Sequence, residues 1–225
     1  MFEPLSGQNA LLDQVHYRLV AAIADGTLPP GQRLTQEEVA AQLGVSRQPV
    51  SHALQVLRRR GLVTEMGKRG LVVAPLDARR LRDLYQVREA LEALAASLAA
   101  KRCEAGAVSQ REQAEGRGLL QEGTALTENG STSELIAADV RFHSFLHRLS
   151  DNQAIIETIA EEWPHFRRAM GAVLVDKPTR ERVWAEHAGI LERIYHGDAA
   201  GAAELVRRHF ARAEEASRRL EAIDQ

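Results

Sequence analysis

The segment from residue 34 to residue 62, LTQEEVAAQLGVSRQPVSHALQVLRRRGL, constrains the fold more than any other part of the chain. Thr35 followed three residues later by Glu38 forms a capping box, which is typical of a helix start. Gly44 ends this first helix because glycine adopts the left-handed conformation at little cost. Ser46 is a suitable N-cap for a second helix. The segment is therefore predicted to form two short helices joined by a tight turn.

The second of these helices has one apolar side and one polar side. Its apolar residues recur at helical spacing: Val50, Ala53, Leu54 and Leu57. Its other surface carries donors, acceptors and cations without an acidic residue: Arg47, Gln48, Ser51, His52, Gln55, Arg58 and Arg59. Such a surface can contact base edges in the DNA major groove and bind phosphates. We interpret the segment as a helix-turn-helix that binds DNA through its second helix, the alternative being a helical hairpin with a solvated basic face.

A β-hairpin is predicted directly after the recognition helix. Residues 62–64 and 71–73 are short β-type runs, separated by a Gly-Lys-Arg-Gly tip at 67–70. Two cations at the tip of a wing can contact phosphates or the minor groove, whereas a solvated turn is the alternative. With a helix at 8–25, residues 1–75 form a predicted winged helix-turn-helix domain. The predicted DNA-binding residues are Arg33, Thr35, Ser46, Arg47, Gln48, Ser51, His52, Arg58, Gly67, Lys68 and Arg69.

Residues 76–225 are predicted to be helical throughout, so the fold class is mainly α. The helices are expected at 78–104, 107–122, 134–149, 153–172, 178–196 and 199–222, with a polar loop at 124–133. Six antiparallel helices form a bundle of a size that can enclose a ligand cavity.

Charge, cysteine content and apolar runs limit the classes of function that the chain can have. The formal net charge of −2 does not by itself indicate a nucleic-acid-binding protein, but residues 1–75 carry 8 Lys and Arg against 6 Asp and Glu. The single cysteine, Cys103, excludes an internal disulfide and favours a reducing compartment. No apolar run reaches the roughly 18 residues of a membrane span, and no apolar signal core is present. A cytoplasmic protein without membrane partners is predicted.

Four residues with metal-binding side chains fall on inward helix faces. Asp139 and His143 are four residues apart on one predicted helix, and His187 and His209 lie on the apolar faces of two others. Leaving each group buried and unpaired would cost a few kcal/mol. A shared divalent cation removes that cost, with zinc favoured and nickel, manganese or iron as alternatives. The competing interpretation is that each histidine is separately hydrogen-bonded in the core.

Arg88 lies on the inward face of the long helix that begins at residue 78. It is our candidate for holding a ligand carboxylate by a bidentate contact beside the metal. A salt bridge to Glu92, four residues later, explains its position equally well. His147 could compete with the four ligands, although no apolar stripe continues on its side.

A metal sensor without an organic ligand and a metal-dependent hydrolase are the rival functions, and the hydrolase ranks low because no spare general base is evident.

The chain resembles the GntR family of transcription regulators. GTLPPGQRL, EEVAAQLGVSRQPVSHALQVLRRRGLV and GKRGLVVAP are similar to its winged-helix domain. VREALEALAASLAA, DVRFHSFLH, EHAGIL and RRHF are similar to the FCD effector domain of its FadR-type branch, and six effector helices resemble the VanR-like subgroup. The resemblance implies a homodimeric bacterial repressor, not an enzyme, that binds a near-palindromic operator and responds to a small carboxylate or related metabolite.

The resemblance also carries residue-level implications. It implies metal ligation by the same four residues, and DNA contact by Arg47 and Gly67. The family usually has Arg-Glu where this chain has Ser51 and His52, and some members have an arginine where this chain has Glu37. Loss of two arginines that can bind guanine predicts an altered operator sequence.

Overall fold

The structure is a computed structural model that describes residues 9–67, 70–174 and 176–221. The chain divides into two units, Met1–Leu76 and Asp77–Gln225. The boundary predicted from sequence, between residues 75 and 76, lies one residue earlier. No described helix is long and apolar enough to cross a membrane.

Within its described residues, the first unit contains three helices and a two-stranded antiparallel hairpin. The helices are α1 (Asn9–Ala24), α2 (Gln36–Leu43) and α3 (Arg47–Arg59), and the strands are β1 (Val63–Glu65) and β2 (Leu71–Val73). Val63 pairs with Val73 and Glu65 with Leu71, so the hairpin turns around residues 67–70. Arg33 adds an isolated antiparallel bridge to Val72. This is the predicted winged helix-turn-helix.

Local chemistry explains the boundaries of the two central helices. The Thr35 side chain accepts a hydrogen bond from the Glu38 backbone N–H at 3.2 Å. Gly44 ends α2 in the left-handed conformation, at φ 66°. Ser46 is the N-cap of α3, but among the described residues its side chain makes no capping hydrogen bond. The apolar side of α3 packs against α1 and α2, which buries Val50, Ala53, Leu54 and Leu57.

The second unit consists of helices throughout its described residues: α4 (Ala78–Glu104), α5 (Gln110–Asn129), α6 (Thr132–Leu149), α7 (Gln153–Val173), α8 (Lys177–Tyr195) and α9 (Ala199–Glu221). The long helix α4 packs against α6, α7, α8 and α9, and α5 packs against α6 and α8. Residues on the inward faces of four helices therefore surround α4, where Arg88 and Glu92 are buried.

The polar loop predicted at residues 124–133 is wrong for most of its length. Helix α5 continues to Asn129, and α6 begins at Thr132 with Ser131 as its N-cap. The helix continues because this stretch has an inward face: Gly123 and Thr127 are buried, and Leu126 packs against the core. Only a two-residue connection remains between the helices, and its Ser131–Glu134 pair forms a capping box.

Candidate functional site

The predicted DNA-binding residues that the structure describes are at least partly exposed. Arg33, Ser46, Arg47, Gln48, His52, Arg58 and Gly67 are exposed, and Thr35 and Ser51 are half-buried. Lys68 and Arg69 of the predicted wing tip lie outside the described residues. The exposure is compatible with the predicted DNA contacts.

Two contacts organise the groove between α3 and the hairpin. Arg58 of α3 forms an ion pair with Glu65 of β1, and the Gln36 amide donates to the Ser51 hydroxyl over 3.2 Å. These residues line a groove of about 310 Å³ that continues to Gly67. The sequence predicted a surface without acidic groups on α3 itself, but the hairpin supplies a carboxylate next to it. Arg58 is consequently shared between Glu65 and any phosphate it contacts.

In the second unit, three histidines from three helices converge. His143 of α6, His187 of α8 and His209 of α9 are all buried, and each offers a nitrogen within 4.8 Å of the others. We call these three residues the imidazole cluster. The Asp139 carboxylate lies beside it, with Oδ1 at 3.5 Å from His187 Nε2 and Oδ2 at 3.8 Å from His143 Nε2. The four residues that helical phase selected from the sequence are therefore brought together.

Two carboxylates fix the orientation of two of these imidazoles. Glu92 of α4 lies 3.0 Å from His143 Nδ1, and Glu186 of α8 lies 2.7 Å from His209 Nδ1. Since an ionised carboxylate only accepts hydrogen bonds, each Nδ1 carries the proton. Each Nε2 then presents a lone pair, which is the arrangement found when histidine binds a metal. The imidazole of His187 is not constrained in this way, because both of its nitrogens lack a hydrogen-bond partner in the described part of the chain.

Burial favours the neutral form of two members of the cluster, His143 and His187. Desolvation lowers the pKa of His143, and desolvation together with the neighbouring His209 and His143 holds the pKa of His187 well below its usual range. Burial opposes ionisation of Glu92, but His143 and His147 hold its pKa well below its usual range. Neutral imidazoles beside ionised carboxylates are the protonation states that bind a cation.

Arg88 forms the salt bridge to Glu92 that was one of its two sequence interpretations, and the contact with a ligand carboxylate stays a prediction. Its Nε donates to Glu92 Oε1 over 3.1 Å, and its guanidinium carbon lies 4.4 Å from the Trp163 ring centroid. The same carbon lies 4.6 Å from the Phe166 ring centroid and 4.7 Å from the Phe210 ring centroid, within the range of cation–π contacts. The terminal Nη2 is buried without a hydrogen-bond partner among the described residues. The salt bridge to Glu92 therefore involves Nε and leaves the Nη2 donor without a partner among the described residues.

A cavity of about 40 Å³ connects Arg88 to the imidazole cluster. Arg88, Asp139, His143 and His209 form its polar wall. The rest of its lining is largely apolar: Tyr85, Met170, Leu174, Val183, Phe210 and Ala213. Burial raises the pKa of Tyr85 to about 12, so its hydroxyl is a donor at neutral pH. The cavity thus has a polar wall of one guanidinium, one carboxylate and two imidazoles, opposite a largely apolar lining that includes the Tyr85 side chain.

Three functional contacts were not identified from the sequence. Glu92 was considered only as a partner for Arg88, yet it also contacts His143 and His147. Glu186 was not considered, because its contact with His209 joins two helices and no spacing along the chain shows it. His147 is 2% exposed, and its Nε2 lies 3.1 Å from Glu92 Oε1. It is outside the imidazole cluster and supports it through Glu92.

A helix-turn-helix with a wing, followed by a helical unit, is the architecture expected of a DNA-binding regulator with a separate helical domain. Residues 11–73 match the gntR family of bacterial regulatory proteins, and residues 83–212 match the FCD domain. The chain belongs to the GntR family of transcription regulators and carries an FCD domain. The predicted family, the fold class and the absence of an enzymatic role are confirmed. The gntR match indicates DNA binding, and the FCD match indicates a small-molecule effector.

Known relatives agree with this assignment. The HTH-type transcriptional regulator YdhC of Bacillus subtilis is 26% identical over 200 residues, covering 88% of this chain and 86% of the relative. The HTH-type transcriptional repressor RspR of Escherichia coli is 30% identical over 149 residues, covering 66% of this chain and 63% of the relative. The structure of Escherichia coli McbR/YncC superposes with a TM-score of 0.76 at 21% identity, covering 93% and 95% of the two chains, and so shares the fold.

Proposed function

We propose that this GntR regulator is a homodimeric repressor whose helical unit binds a divalent metal, zinc in the first instance, and a small carboxylate. The carboxylate releases the dimer from a near-palindromic operator. The observation that carries the proposal is a cavity of about 40 Å³ lined by Arg88, Asp139, His143 and His209, together with a buried guanidinium nitrogen of Arg88 that has no hydrogen-bond partner among the described residues.

The donor set supports the metal. Asp139, His143, His187 and His209 would hold the cation: one carboxylate and three neutral imidazoles, which suit zinc and other first-row divalent ions. The two unpartnered nitrogens of His187 would otherwise be buried at a cost of about 1–3 kcal/mol each. When bound, the cation supplies a positive charge with coordination positions open to ligand oxygens.

The remaining cavity wall supports a small monocarboxylate. A cavity of 40 Å³ has room for about three water-sized groups, given roughly 10–15 Å³ for each. Arg88 can bind a carboxylate through its free nitrogen, and Tyr85 can donate to it. A second carboxylate would face Asp139 and apolar side chains, where only the metal could hold it, so the cavity favours a single carboxylate. Acetate and propionate, which are among the smallest such acids, are the probes that suit a cavity of this size.

Release from DNA requires that the acid bind one arrangement of the dimer more tightly than the other. The chain runs from the wing strand β2 into α4, which carries both Arg88 and Glu92. An acid bound at Arg88 therefore acts on the helix that follows the DNA-binding unit in the chain. Release, rather than tighter binding, is the expected response because we propose that the protein is a repressor.

Fluorescence anisotropy with DNA from upstream of the protein's own gene tests this function. We expect zinc-loaded protein to bind this DNA more tightly than scrambled DNA across a salt series, and Arg47→Ala to abolish the difference. Arg18→Ala, on the exposed face of α1, is the matched control and retains it. Millimolar propionate should release wild-type protein but not Arg88→Lys, which keeps the charge and loses the planar guanidinium.

Three outcomes would contradict parts of the proposal. Equal binding to operator and scrambled DNA would contradict sequence-specific regulation at this site. Release by zinc alone, with no effect of acids, would replace the carboxylate response by metal sensing. Release of Arg88→Lys by propionate at the wild-type concentration would remove Arg88 from the ligand site.

A further inference from the structure

Glu92 has more polar contacts than any other buried carboxylate that the structure describes in the helical unit. It is 1% exposed on the inward face of α4. Its Oε2 lies 3.0 Å from His143 Nδ1. Its Oε1 lies 3.1 Å from Arg88 Nε and 3.1 Å from His147 Nε2. One carboxylate thus contacts a metal-ligand candidate on one oxygen and the ligand-binding guanidinium on the other.

These contacts have two separate consequences. The Oε2 contact holds the proton of His143 on Nδ1 and directs the Nε2 lone pair toward Asp139, which lies 3.8 Å away. The Oε1 contact binds the guanidinium of Arg88 by its inner Nε and leaves the terminal Nη2 without a hydrogen-bond partner among the described residues, in a side chain that lines the cavity. If Glu92 instead accepted from both Nε and a terminal nitrogen, less of the guanidinium would remain for a ligand.

We infer that Glu92 is the positioning residue of the whole site: it sets the metal-binding tautomer of His143 and the ligand-binding orientation of Arg88 together. This inference rests on the proposed function. It adds that binding of the metal and binding of the small acid both depend on Glu92, whose side chain would contact neither of them. It also predicts that the two binding events fail together when Glu92 is changed and separately when other residues are changed.

Glutamine at this position provides a sharp test because it is nearly isosteric. Arg88 Nε always carries a proton, so the amide oxygen of Glu92→Gln must face Arg88. The amide NH₂ then faces His143 Nδ1 and can only donate to it. His143 must move its proton to Nε2, and a protonated Nε2 cannot bind a metal. The substitution therefore reverses the tautomer while it preserves side-chain volume.

Glu186 offers a matched control within the same cluster. It contacts His209 Nδ1 at 2.7 Å, as Glu92 contacts His143, and its other oxygen bonds to Arg212. Glu186 is half-buried and Arg212 is exposed, so a glutamine there can turn, and water can replace its contacts. It has no described contact with Arg88. Glu186→Gln should therefore lower zinc affinity less than Glu92→Gln does, and it removes no contact of Arg88.

The experiment measures three quantities on the full-length wild type, Glu92→Gln and Glu186→Gln. Zinc affinity is measured by competition with a chelator, and propionate affinity by calorimetry at zinc concentrations that saturate each variant. The tautomer of His143 is read from ¹⁵N chemical shifts in metal-free protein. For Glu92→Gln we expect zinc affinity to fall about 10–100-fold, as for other carboxylates that orient a ligand histidine. Propionate affinity should fall, by up to about tenfold, because the neutral amide oxygen that faces Arg88 Nε holds the guanidinium by a weaker hydrogen bond than the carboxylate does.

The outcomes separate this inference from the proposed function. A proton on Nδ1 in the wild type and on Nε2 in Glu92→Gln supports the inference even before metal is added. A proton on Nε2 in the wild type overturns it, as do equal losses of zinc affinity in the two variants or unchanged propionate affinity in Glu92→Gln. Failure of the wild type to bind zinc contradicts the proposed function instead, and the ¹⁵N result still decides the tautomer.

Discussion

At the scale of single residues, His187 distinguishes a metal ligand from a core histidine. It is fully buried, it stacks on Phe142 with ring centroids 4.4 Å apart, and neither of its nitrogens has a hydrogen-bond partner among the described residues. A histidine kept for packing alone would gain from a bonded nitrogen, since an unsatisfied buried polar group costs about 1–3 kcal/mol. A metal-binding His187 and a purely structural His187 should therefore respond differently to substitution.

We predict that His187→Leu leaves the metal-free protein as stable as the wild type or more stable, because it removes two unsatisfied nitrogens. The same substitution should abolish stabilisation by zinc, which is about 2.7 kcal/mol at a concentration 100 times the dissociation constant. Thermal unfolding with zinc and with chelator measures both effects. His196→Leu, at the exposed end of α8, should keep the zinc response. A destabilised His187→Leu that still responds to zinc would identify a core histidine.

The sequence predicted the imidazole cluster but not the residues that orient it. Helical spacing placed Asp139 and His143 on one inward face, and the structure brings them beside His187 and His209. Spacing reports which side of a helix a residue occupies and not what lies opposite it. Glu186 therefore remained unrecognised, because its role arises from contact with a histidine 23 residues away on another helix. Glu92 was paired correctly with Arg88, four residues away, but its contact with His143 is equally non-local.

At the scale of elements, α5 shows how glycine permits close helix packing. A Cβ atom at Gly123 would lie 2.0 Å from the Trp184 ring of α8, and one at Gly116 would lie 2.1 Å from the Tyr195 hydroxyl. At Gly118, in the same helix, nothing lies within 4 Å. The sequence suggested a weak helix ending near residue 122, because glycine and threonine lower helix propensity. Packing against α6 and α8 outweighs that propensity, which is why the end of α5 was predicted wrongly.

We predict opposite effects for alanine at two glycines of α5. Gly123→Ala forces the buried Trp184 ring to move and should lower the free energy of unfolding by about 1–3 kcal/mol or more. Gly118→Ala should raise it by about 0.5–1 kcal/mol, because alanine is the better helix former and meets no neighbour. Chemical denaturation of both variants against the wild type measures the difference. Equal effects of the two substitutions would contradict close packing of α5 on α8.

At the scale of the whole molecule, a repressor released by an acid must obey a reciprocal relation. The acid can weaken operator binding only if it binds the DNA-free arrangement more tightly than the DNA-bound one. If propionate lowers operator affinity by a given factor, operator DNA must lower propionate affinity by the same factor. A tenfold effect in either direction corresponds to about 1.4 kcal/mol of coupling free energy.

We predict equal factors, both clearly above one, for zinc-loaded wild-type protein, and factors close to one, meaning no coupling, for Arg88→Lys. Operator affinity is measured by anisotropy at increasing propionate, and propionate affinity by calorimetry with and without saturating operator, at one salt concentration because DNA affinity depends steeply on salt. Equal factors indicate one coupled equilibrium between the cavity beside Arg88 and the DNA-binding surface. If propionate weakens operator binding while operator leaves propionate binding unchanged, propionate acts at some other site. The cavity would then bind acids without regulating the protein.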